Sequence, residues 1–268
     1  MKLGLGTTQF WYGSDPAQRE VFYQAYEKYD ITVIDTAEMY GSGRCEKEVS
    51  RILRKIGRDD LFIIDKILPE NVTEERFMQS LQQSLDRLGT DCIDLYLLHW
   101  REDADLALLV DKMEEAKHLG YIKEWGVSNF DVQDLKDLFR VQGGERCYAN
   151  EIFYNVFYRG IEVDLLPYMK EHGVLPISYS TLDNSYNRKK LFSNRELRDL
   201  CSEDGISVEA LMLAFAVRDY GLLALFHTSS VEHLAEDLKC LEVDIGKYME
   251  VINRHYPAPE HKVPLEKR

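Results

Sequence analysis

The chain has 268 residues, of which 45% are hydrophobic and 11% aromatic, and its formal net charge at pH 7 is −14. The apolar share is enough for a large core, whereas the acidic balance argues against nucleic acid as a partner, because neutralising phosphates requires clustered lysine and arginine. No apolar run approaches the ~20 residues of a membrane helix, and the opening MKLGLGTTQF lacks the apolar stretch of a signal peptide. We therefore expect a cytoplasmic protein without a membrane partner, either a monomer or a weak homo-oligomer.

Apolar segments typical of β-strands recur from one end of the chain to the other. They are near-continuous apolar runs, as expected for parallel strands that are buried on both faces. The predicted strands are Leu3–Thr7, Val33–Thr36, Leu61–Lys66, Ile93–His99, Ile122–Ser128, Cys147–Ile152, Leu175–Ser180 and Leu222–Thr228.

Helical patterns fill the intervals between these strands. Asp15 stands as a predicted N-cap before Pro16 in the first interval, and Thr73 as a predicted cap in the third. The two apolar stripes are Val21, Phe22, Ala25, Tyr26 and Tyr29, and Phe77, Leu81, Leu85 and Leu88. FDVQDLKDLF and NRELRDLCSEDGISVEALMLAFAVRDYG continue the alternation. Alternating strands and helices predict an α/β fold, a single-domain (β/α)8 TIM barrel over residues 1–268.

The first predicted strand begins almost at Met1, so we expect a barrel that lacks an N-terminal hairpin plug. Its bottom must then be covered by the helices or by the C-terminal tail. Two segments, GLGTTQ and GSGRCE, begin like the dinucleotide fingerprint G-x-G-x-x-G but lack its third glycine. We expect no helix to open at either, and a Rossmann fold is not predicted.

Cysteine and histidine spacing gives no sign of a metal or disulfide framework. The five cysteines, an odd number, include no C-x-x-C pair, and the seven histidines show no H-E-x-x-H spacing. Reduced thiols in a reducing compartment and the absence of a bound metal are the expected consequences.

Four polar residues fall where predicted strands two, three and four end, which is the face that carries the active site in TIM barrels. They are Asp35, Tyr40, Lys66 and His99. Each has an ordinary structural explanation on its own: a helix cap, a packing aromatic, a surface lysine and a core histidine, respectively. Their coincidence at one rim favours a catalytic site.

Several motifs then give the chain a family resemblance along nearly its whole length. DTAEMYG, FIIDK, SLDRLGTDCIDLYLLHW and GVSNF resemble the aldo/keto reductases, and ANEIFYN, SYSTL and SSVEHLAEDL extend the match. The segments NEIFYN…RGIEVDLLPYMKEHGV and YPAPEHKVPLEKR look most like compact bacterial members related to methylglyoxal reductases.

The resemblance implies a role for each member of the quartet. Tyr40 would be the general acid that protonates a substrate carbonyl oxygen, with Lys66 lowering the pKa of the phenol. Asp35 would hold Lys66, and His99 would orient the carbonyl. The glycine after Tyr40 would let the loop turn toward the barrel axis. The cofactor would be NADPH, which supplies the hydride.

The resemblance also implies the residues that bind the cofactor. Ser128 and Asn129 match the pair that binds the nicotinamide carboxamide, although they could instead cap the following helix. Tyr179 matches the aromatic that stacks on the nicotinamide ring, while Ser180 and Leu182 match positions along the pyrophosphate. The remaining matches are Asp35, Thr36 and Glu151 near the nicotinamide, and His227, Thr228, Glu236 and Asp237 near the adenosine.

The departures from the family pattern concern the two ends of the site. Glu151 stands where many members have Gln. HWR replaces the common HWP, and with a short loop after His99 and no long loop after Tyr256 we expect an open mouth lined by Trp11, Tyr12 and Trp100.

At the adenosine end, His227 and His233 replace the usual Lys and Arg, and Asp237 replaces Asn. Ser229 and Glu232 have capping-box spacing, which predicts a helix start at the rim. The run NRKK, residues 187–190, either folds over the cofactor or forms a solvated surface loop. We therefore expect NADPH use with NADH possible, and a preference for NADPH that grows toward pH 6 as the histidines become charged.

Two functions remain open on the sequence alone. The favoured one is NAD(P)H-dependent reduction of small aldehydes and ketones. The alternative is a nicotinamide-nucleotide-binding regulatory or sensor subunit with little turnover.

Overall fold

The computed structural model describes residues 2–13, 15–183, 186–218, 221–228 and 230–267. Its centre is a closed barrel of parallel strands in sequence order, with the last strand paired to the first. The strands are β1 (Leu3–Gly6), β2 (Val33–Asp35), β3 (Phe62–Ile67), β4 (Ile93–Leu98), β5 (Ile122–Ser128), β6 (Ala149–Phe153), β7 (Leu175–Tyr179) and β8 (Leu223–Phe226). The predicted barrel is confirmed, and every predicted strand matches an observed one to within two residues at each end.

Helices cover the outside of the barrel. They are α1 (Pro16–Tyr29), α2 (Arg44–Ile56), α3 (Phe77–Leu88), α4 (Leu106–His118), α5 (Val132–Phe139), α6 (Leu165–Glu171), α7 (Tyr186–Ser193), α8 (Arg195–Glu203), α9 (Val208–Ala216), α10 (Val231–Asp237) and α11 (Gly246–His255). No helix in the described part of the chain is both long and apolar enough to cross a membrane.

The predicted helix starts are partly right. Asp15 caps α1 by accepting a hydrogen bond from the Ala17 amide at 2.8 Å. Thr73 does not cap α3, because its hydroxyl accepts from the Arg76 amide in a turn that precedes the helix. Contrary to expectation, a helix does open after GSGRCE begins, since α2 starts at Arg44, but it belongs to the barrel and not to a Rossmann unit.

The barrel interior is a small apolar core of its own, beneath the polar rim. Side chains along a strand alternate between its two faces, and the inward positions are Val33, Ile64, Leu95, Leu97, Ala149, Ile177, Leu223 and Leu225. The next inward positions toward the carboxyl ends are Asp35, Lys66, His99, Glu151, Tyr179 and His227. The strand period therefore brings the polar residues together above the apolar core.

The C-terminal tail does not cover the barrel bottom, which corrects one of our two expectations. Tail residues 257–259 and 262–266 instead line a cavity of about 430 Å³ together with Phe153, the last residue of β6, at the carboxyl-end face. Arg159 anchors the start of the tail by donating to the Tyr256 carbonyl at 2.9 Å, and Lys262 pairs with Asp164 at 3.2 Å. At the bottom, the interior core is bounded by the partly buried Phe62 and Leu175.

Candidate active site

Lys66 is the centre of the rim cluster and is completely buried. Its ammonium donates to the Asp35 carboxylate and to the Thr36 carbonyl at 3.1 Å, and lies 3.3 Å from Glu151 Oε2. A buried cation requires such partners, because removing it from water costs several kcal/mol. Neither the surface role considered for Lys66 nor the helix-cap role considered for Asp35 applies.

Tyr40 and His99 lie beside this ion cluster. The Lys66 ammonium is 5.3 Å from the centre of the Tyr40 ring, and the Tyr40 and His99 rings meet edge to face with centroids 5.7 Å apart. Trp11 lies 6.0 Å from Tyr40 between centroids, and Trp100 stacks on His99 at 3.8 Å. The four predicted catalytic residues are thus brought together.

Local backbone geometry fixes the loop that carries Tyr40. Gly41 has φ +58°, and a Cβ there would lie 2.9 Å from the Trp11 carbonyl oxygen. An alanine would therefore meet both strain and a clash. On the other side of Tyr40, the Glu38 carboxylate accepts from the Leu68 amide at 2.6 Å and from Asn71 Nδ2 at 2.9 Å, which ties the loop to the end of β3.

Burial governs the protonation of the ion cluster. Because burial outweighs the attraction of Lys66, the pKa of Glu151 is raised to about 8 and that of Asp35 is also raised. Burial alone would lower the pKa of Lys66, but its two carboxylate neighbours hold it well above the usual value. The lysine is therefore charged, and Asp35 and Glu151 compete for the role of its counter-ion.

The pKa of Tyr40 differs from our expectation. Lys66 does lower it, but burial raises it more, and Asp35 and Glu151 add to the increase, so the net pKa lies above 10. The expected net lowering is wrong because burial of the phenol outweighs the attraction of Lys66. The phenol is a fully protonated donor at neutral pH.

His99 is a neutral imidazole. Burial, assisted by the charge of Lys66, lowers its pKa to about 2. Its Nδ1 has no hydrogen-bond partner among the described residues. A neutral ring can offer one N–H to a ligand oxygen, but it carries no proton to give up at physiological pH.

A second group of rim residues ties β5, β6 and β7 together. Asn129, at φ +63°, donates to the His99 carbonyl at 3.1 Å and accepts from the Tyr179 hydroxyl at 2.7 Å. Ser128 donates to the Glu151 carbonyl at 3.0 Å. The cap of α5 is Asp131, which forms a capping box with Asp134, so the capping role considered for Ser128 and Asn129 does not apply.

The rim opens into a cavity of about 700 Å³, whose lining includes Asp35 and Tyr40 as well as His233, Glu236 and Asp237 of α10. This volume is within the range typical of ligand sites. The predicted residues that line it are Asp35, Tyr40, Tyr179, Ser180, Leu182, His227, Thr228, Glu236 and Asp237. The others near its inner end, Thr36, Lys66, His99, Ser128, Asn129 and Glu151, are buried behind this lining.

The predicted substrate-pocket residues divide into two groups. Trp11 and Trp100 are partly buried against Tyr40 and His99, respectively. Tyr12 is 92% exposed, so the prediction that it lines the pocket has no support in its position. The mouth of the site is also less open than expected. The C-terminal tail packs around Phe153, whose ring lies 5.4 Å from that of Tyr179 between centroids.

The far end of the cavity differs from expectation in three ways. The cap of α10 is Ser230, which accepts from the His233 amide, while Ser229 lies outside the described residues. Burial, together with Arg188, lowers the pKa of His227, which opposes the expected charging of this histidine toward pH 6. Burial raises the pKa of Asp237 to about 7.

The basic run NRKK is not a surface loop but part of α7, and its Arg188 lines the cavity. The basic composition of this run was the feature of the sequence that pointed to Arg188. Glu209, which also lines the cavity, carried no such signal.

Two buried polar atoms close to the ion cluster lack partners. Thr36 Oγ1 and His99 Nδ1 are buried without a hydrogen-bond partner among the described residues, whereas Glu151 Oε2 lies 3.3 Å from the Lys66 ammonium. Buried polar atoms in proteins are normally satisfied, so the two unpartnered atoms are unusual. Within the same described segments, no group of His, Cys, Asp and Glu has the arrangement of a metal site.

Comparison with known proteins gives consistent matches across the chain. The model of the aldo/keto reductase family matches residues 2–250. Methylglyoxal reductase YeaE of Escherichia coli K12 is 33% identical over 98% of this chain and 94% of its own length. The crystal structure of an aldo/keto reductase from Klebsiella pneumoniae in complex with NADP and acetate is 36% identical, has a TM-score of 0.92, and is matched over 99% of this chain and 95% of that one. An NADH-specific methylglyoxal reductase of E. coli K12 is 23% identical over 81% of this chain and 80% of its own length.

Proposed function

The chain belongs to the aldo/keto reductase family, and from that premise we propose that it reduces small aldehydes and ketones to alcohols with NADPH, NADH being a possible substitute. One observation carries the proposal: a protonated phenol, a buried lysine and a neutral imidazole meet at the inner end of a cavity large enough for a dinucleotide. The NADP-bound relative from K. pneumoniae supports the choice of cofactor.

The residues that would hold the cofactor follow the length of the cavity. In this proposal Asn129 and Ser128, with Glu151, bind the nicotinamide amide, and the hydrogen bond from the Tyr179 hydroxyl to Asn129 fixes the position of the Tyr179 ring. Ser180 and Leu182, for the pyrophosphate, and His227, Thr228, Glu236 and Asp237, for the adenosine, all line the cavity. When bound there, the cofactor supplies the hydride.

In the proposed chemistry, Tyr40 donates its proton to the carbonyl oxygen as negative charge develops on that oxygen. The high pKa of Tyr40 keeps the proton on the phenol until then. The phenolate left behind is stabilised by the Lys66 ammonium, which its ion pair with Asp35 keeps charged and in place. A positioned general acid of this kind is typically worth ~10²–10⁴-fold in rate.

His99 is assigned an orienting role. Because its pKa is lowered to about 2, the imidazole is neutral and can only offer an N–H to the carbonyl oxygen. Two fixed donors, the phenol and the imidazole, would hold that oxygen in one position. Such positioning lowers the barrier because less orientational freedom is lost during the reaction.

The substrate side favours small carbonyl compounds. Trp11 and Trp100 flank Tyr40 and His99 and provide an apolar wall close to the reacting position. The relative YeaE is named for methylglyoxal reduction, and a small activated carbonyl of this type suits the site. Five free cysteines, four of them buried, support a reducing, cytoplasmic location.

The test is the oxidation of NADPH and NADH in the presence of methylglyoxal, a keto acid, an aldose and an aromatic aldehyde. We expect turnover with at least one small aldehyde. Tight binding of NADPH with negligible turnover of every carbonyl would contradict the proposal and favour the regulatory or sensor alternative.

A further inference from the structure

The far end of the cavity combines several acids with a single strong cation. Asp183, Glu209, Glu236 and Asp237 all line the cavity, whereas Arg188 is the one lysine or arginine among its described lining residues. A phosphate needs charge-assisted donors, and arginine is well suited because its guanidinium presents a planar fork of N–H groups.

Arg188 is held in place by two contacts. Its Nη2 donates to Glu209 Oε1 at 2.8 Å, and its guanidinium carbon lies 5.2 Å from the centre of the Phe192 ring, one helical turn further along α7. Its side chain is 37% exposed, so the guanidinium is at the edge of the cavity and not sealed in the core.

The position of Arg188 also connects it to the adenosine end of the cavity. By the family resemblance, His227 matches a 2′-phosphate position, as does His233, and Asp237 matches a position near the adenine. The usual Lys and Arg of that pattern are absent here, and His227 and His233 stand in their place. Arg188 lies close enough to act on two of these residues: it adds to the effect of burial in lowering the pKa of His227, and it partly opposes the rise that burial causes in the pKa of Asp237.

We propose that Arg188 is the cation that binds the 2′-phosphate of NADPH. We also propose that Glu209, which pairs with Arg188 when no cofactor is bound, competes with the phosphate and weakens its binding. The inference rests on the proposed function and deepens it, because it names the residue pair that sets cofactor choice. A phosphate must displace Glu209 from the guanidinium, so the net gain from the 2′-phosphate is smaller than an unopposed arginine would provide. This competition explains how one pocket can accept both NADPH and NADH.

The test measures dissociation constants for NADP⁺ and NAD⁺ by isothermal titration calorimetry, without turnover. Arg188→Met should weaken NADP⁺ binding by about 10- to 100-fold, the range for losing a hydrogen bond to a charged group. NAD⁺ binding should change by no more than about 3-fold, since that cofactor lacks the phosphate. Lys189→Met, which removes an exposed charge from the same helix without touching the cavity, is the matched control.

Glu209→Gln provides an independent readout in the opposite direction, so the proposal stays testable even if Arg188→Met folds poorly. Releasing Arg188 should tighten NADP⁺ binding by about 3- to 10-fold, with NAD⁺ binding little changed. Glu203→Gln on the exposed end of α8 serves as control.

Equal losses of affinity for both cofactors in Arg188→Met would place the arginine at the pyrophosphate and overturn the assignment. Unchanged NADP⁺ affinity in Arg188→Met or Glu209→Gln would also overturn it, while failure of the unmodified protein to bind either cofactor would instead refute the proposed function.

Discussion

Replacing Glu151 with glutamine should change how stability depends on pH. The folded protein keeps a proton on the Glu151 carboxyl up to a pKa of about 8, whereas the ordinary value for an unfolded glutamate is 4.5. Between these two values only the folded state binds the proton, so the contribution of this group to stability is full below pH 4.5 and is lost as pH rises through 8. Glutamine has the same shape and no such titration.

The magnitude follows from the width of that window. Each pH unit in which only the folded state is protonated changes the free energy of unfolding by about 1.4 kcal/mol. Between pH 6 and pH 8 the wild type should therefore lose about 2 kcal/mol relative to Glu151→Gln, after allowing for partial ionisation near pH 8. For a chain of this size, that corresponds to a relative shift in Tm of about 5 °C.

The assay is thermal unfolding, checked by urea titration, of both proteins at pH 6, 7 and 8. Comparing the two proteins cancels the titration of Asp237 and of other groups that they share outside the ion cluster. Exposed Glu203→Gln is the matched control and should follow the wild type. If Glu151→Gln and the wild type change in parallel from pH 6 to pH 8, Glu151 does not hold a proton in the folded state, and the account of the ion cluster is wrong.

Three further outcomes are expected. Methylglyoxal should give a higher kcat/KM than steroids or long-chain aldehydes, because few contacts remote from the reacting carbon are available to a large substrate; the reverse order in steady-state assays would contradict this. The preference for NADPH over NADH should be greater at pH 6 than at pH 8, because Asp237, with its pKa of about 7, is ionised and repels phosphate only at the higher pH. Asp237→Asn should remove most of that difference in kcat/KM ratios, and an unchanged ratio in the variant would show that another group is responsible. Lys66→Met should lower the free energy of unfolding at pH 8 by about 3–5 kcal/mol in urea titrations, because it leaves Asp35 and Glu151 buried without their cation. A loss below about 1 kcal/mol would mean that the two carboxyl groups become neutral when the lysine is removed.

The barrel and its catalytic quartet were predictable because they depend on local patterns. Apolar runs mark the strands, and the two-residue period of each strand then determines which side chains point inward. Val33 and Asp35, Ile64 and Lys66 follow this rule directly. The positions of the strand ends were therefore sufficient to predict that the polar residues lie at one rim of the barrel.

The protonation states could not be predicted in the same way. Whether Lys66 lowers the net pKa of Tyr40 depends on how deeply both side chains are buried. It also depends on a second carboxyl group, that of Glu151, which lies 85 residues after Lys66 in the chain. The sequence names the neighbours, but not the balance between burial and charge that decides the sign of the shift.

Long-range packing accounts for the other differences. The tail lies beside the carboxyl-end face because Arg159 binds Asn253 and the Tyr256 carbonyl, almost a hundred residues further along the chain. Arg188 reaches the cavity because α7 packs so that this side chain meets Glu209 of α9. Neither contact leaves a periodic signal in the sequence.

The most direct test of the central claim is the carbonyl-reductase activity of Tyr40→Phe, measured with NADPH and methylglyoxal beside the dissociation constant for NADPH. Phenylalanine preserves the ring contacts with His99 and Trp11 and removes only the proton donor. We predict a loss of kcat of about 10²-fold or more, with cofactor affinity within about 3-fold of the wild type because the phenol itself contributes little to holding a dinucleotide. Retention of most of kcat in this variant, with cofactor binding intact, would contradict the assignment of Tyr40 as the general acid.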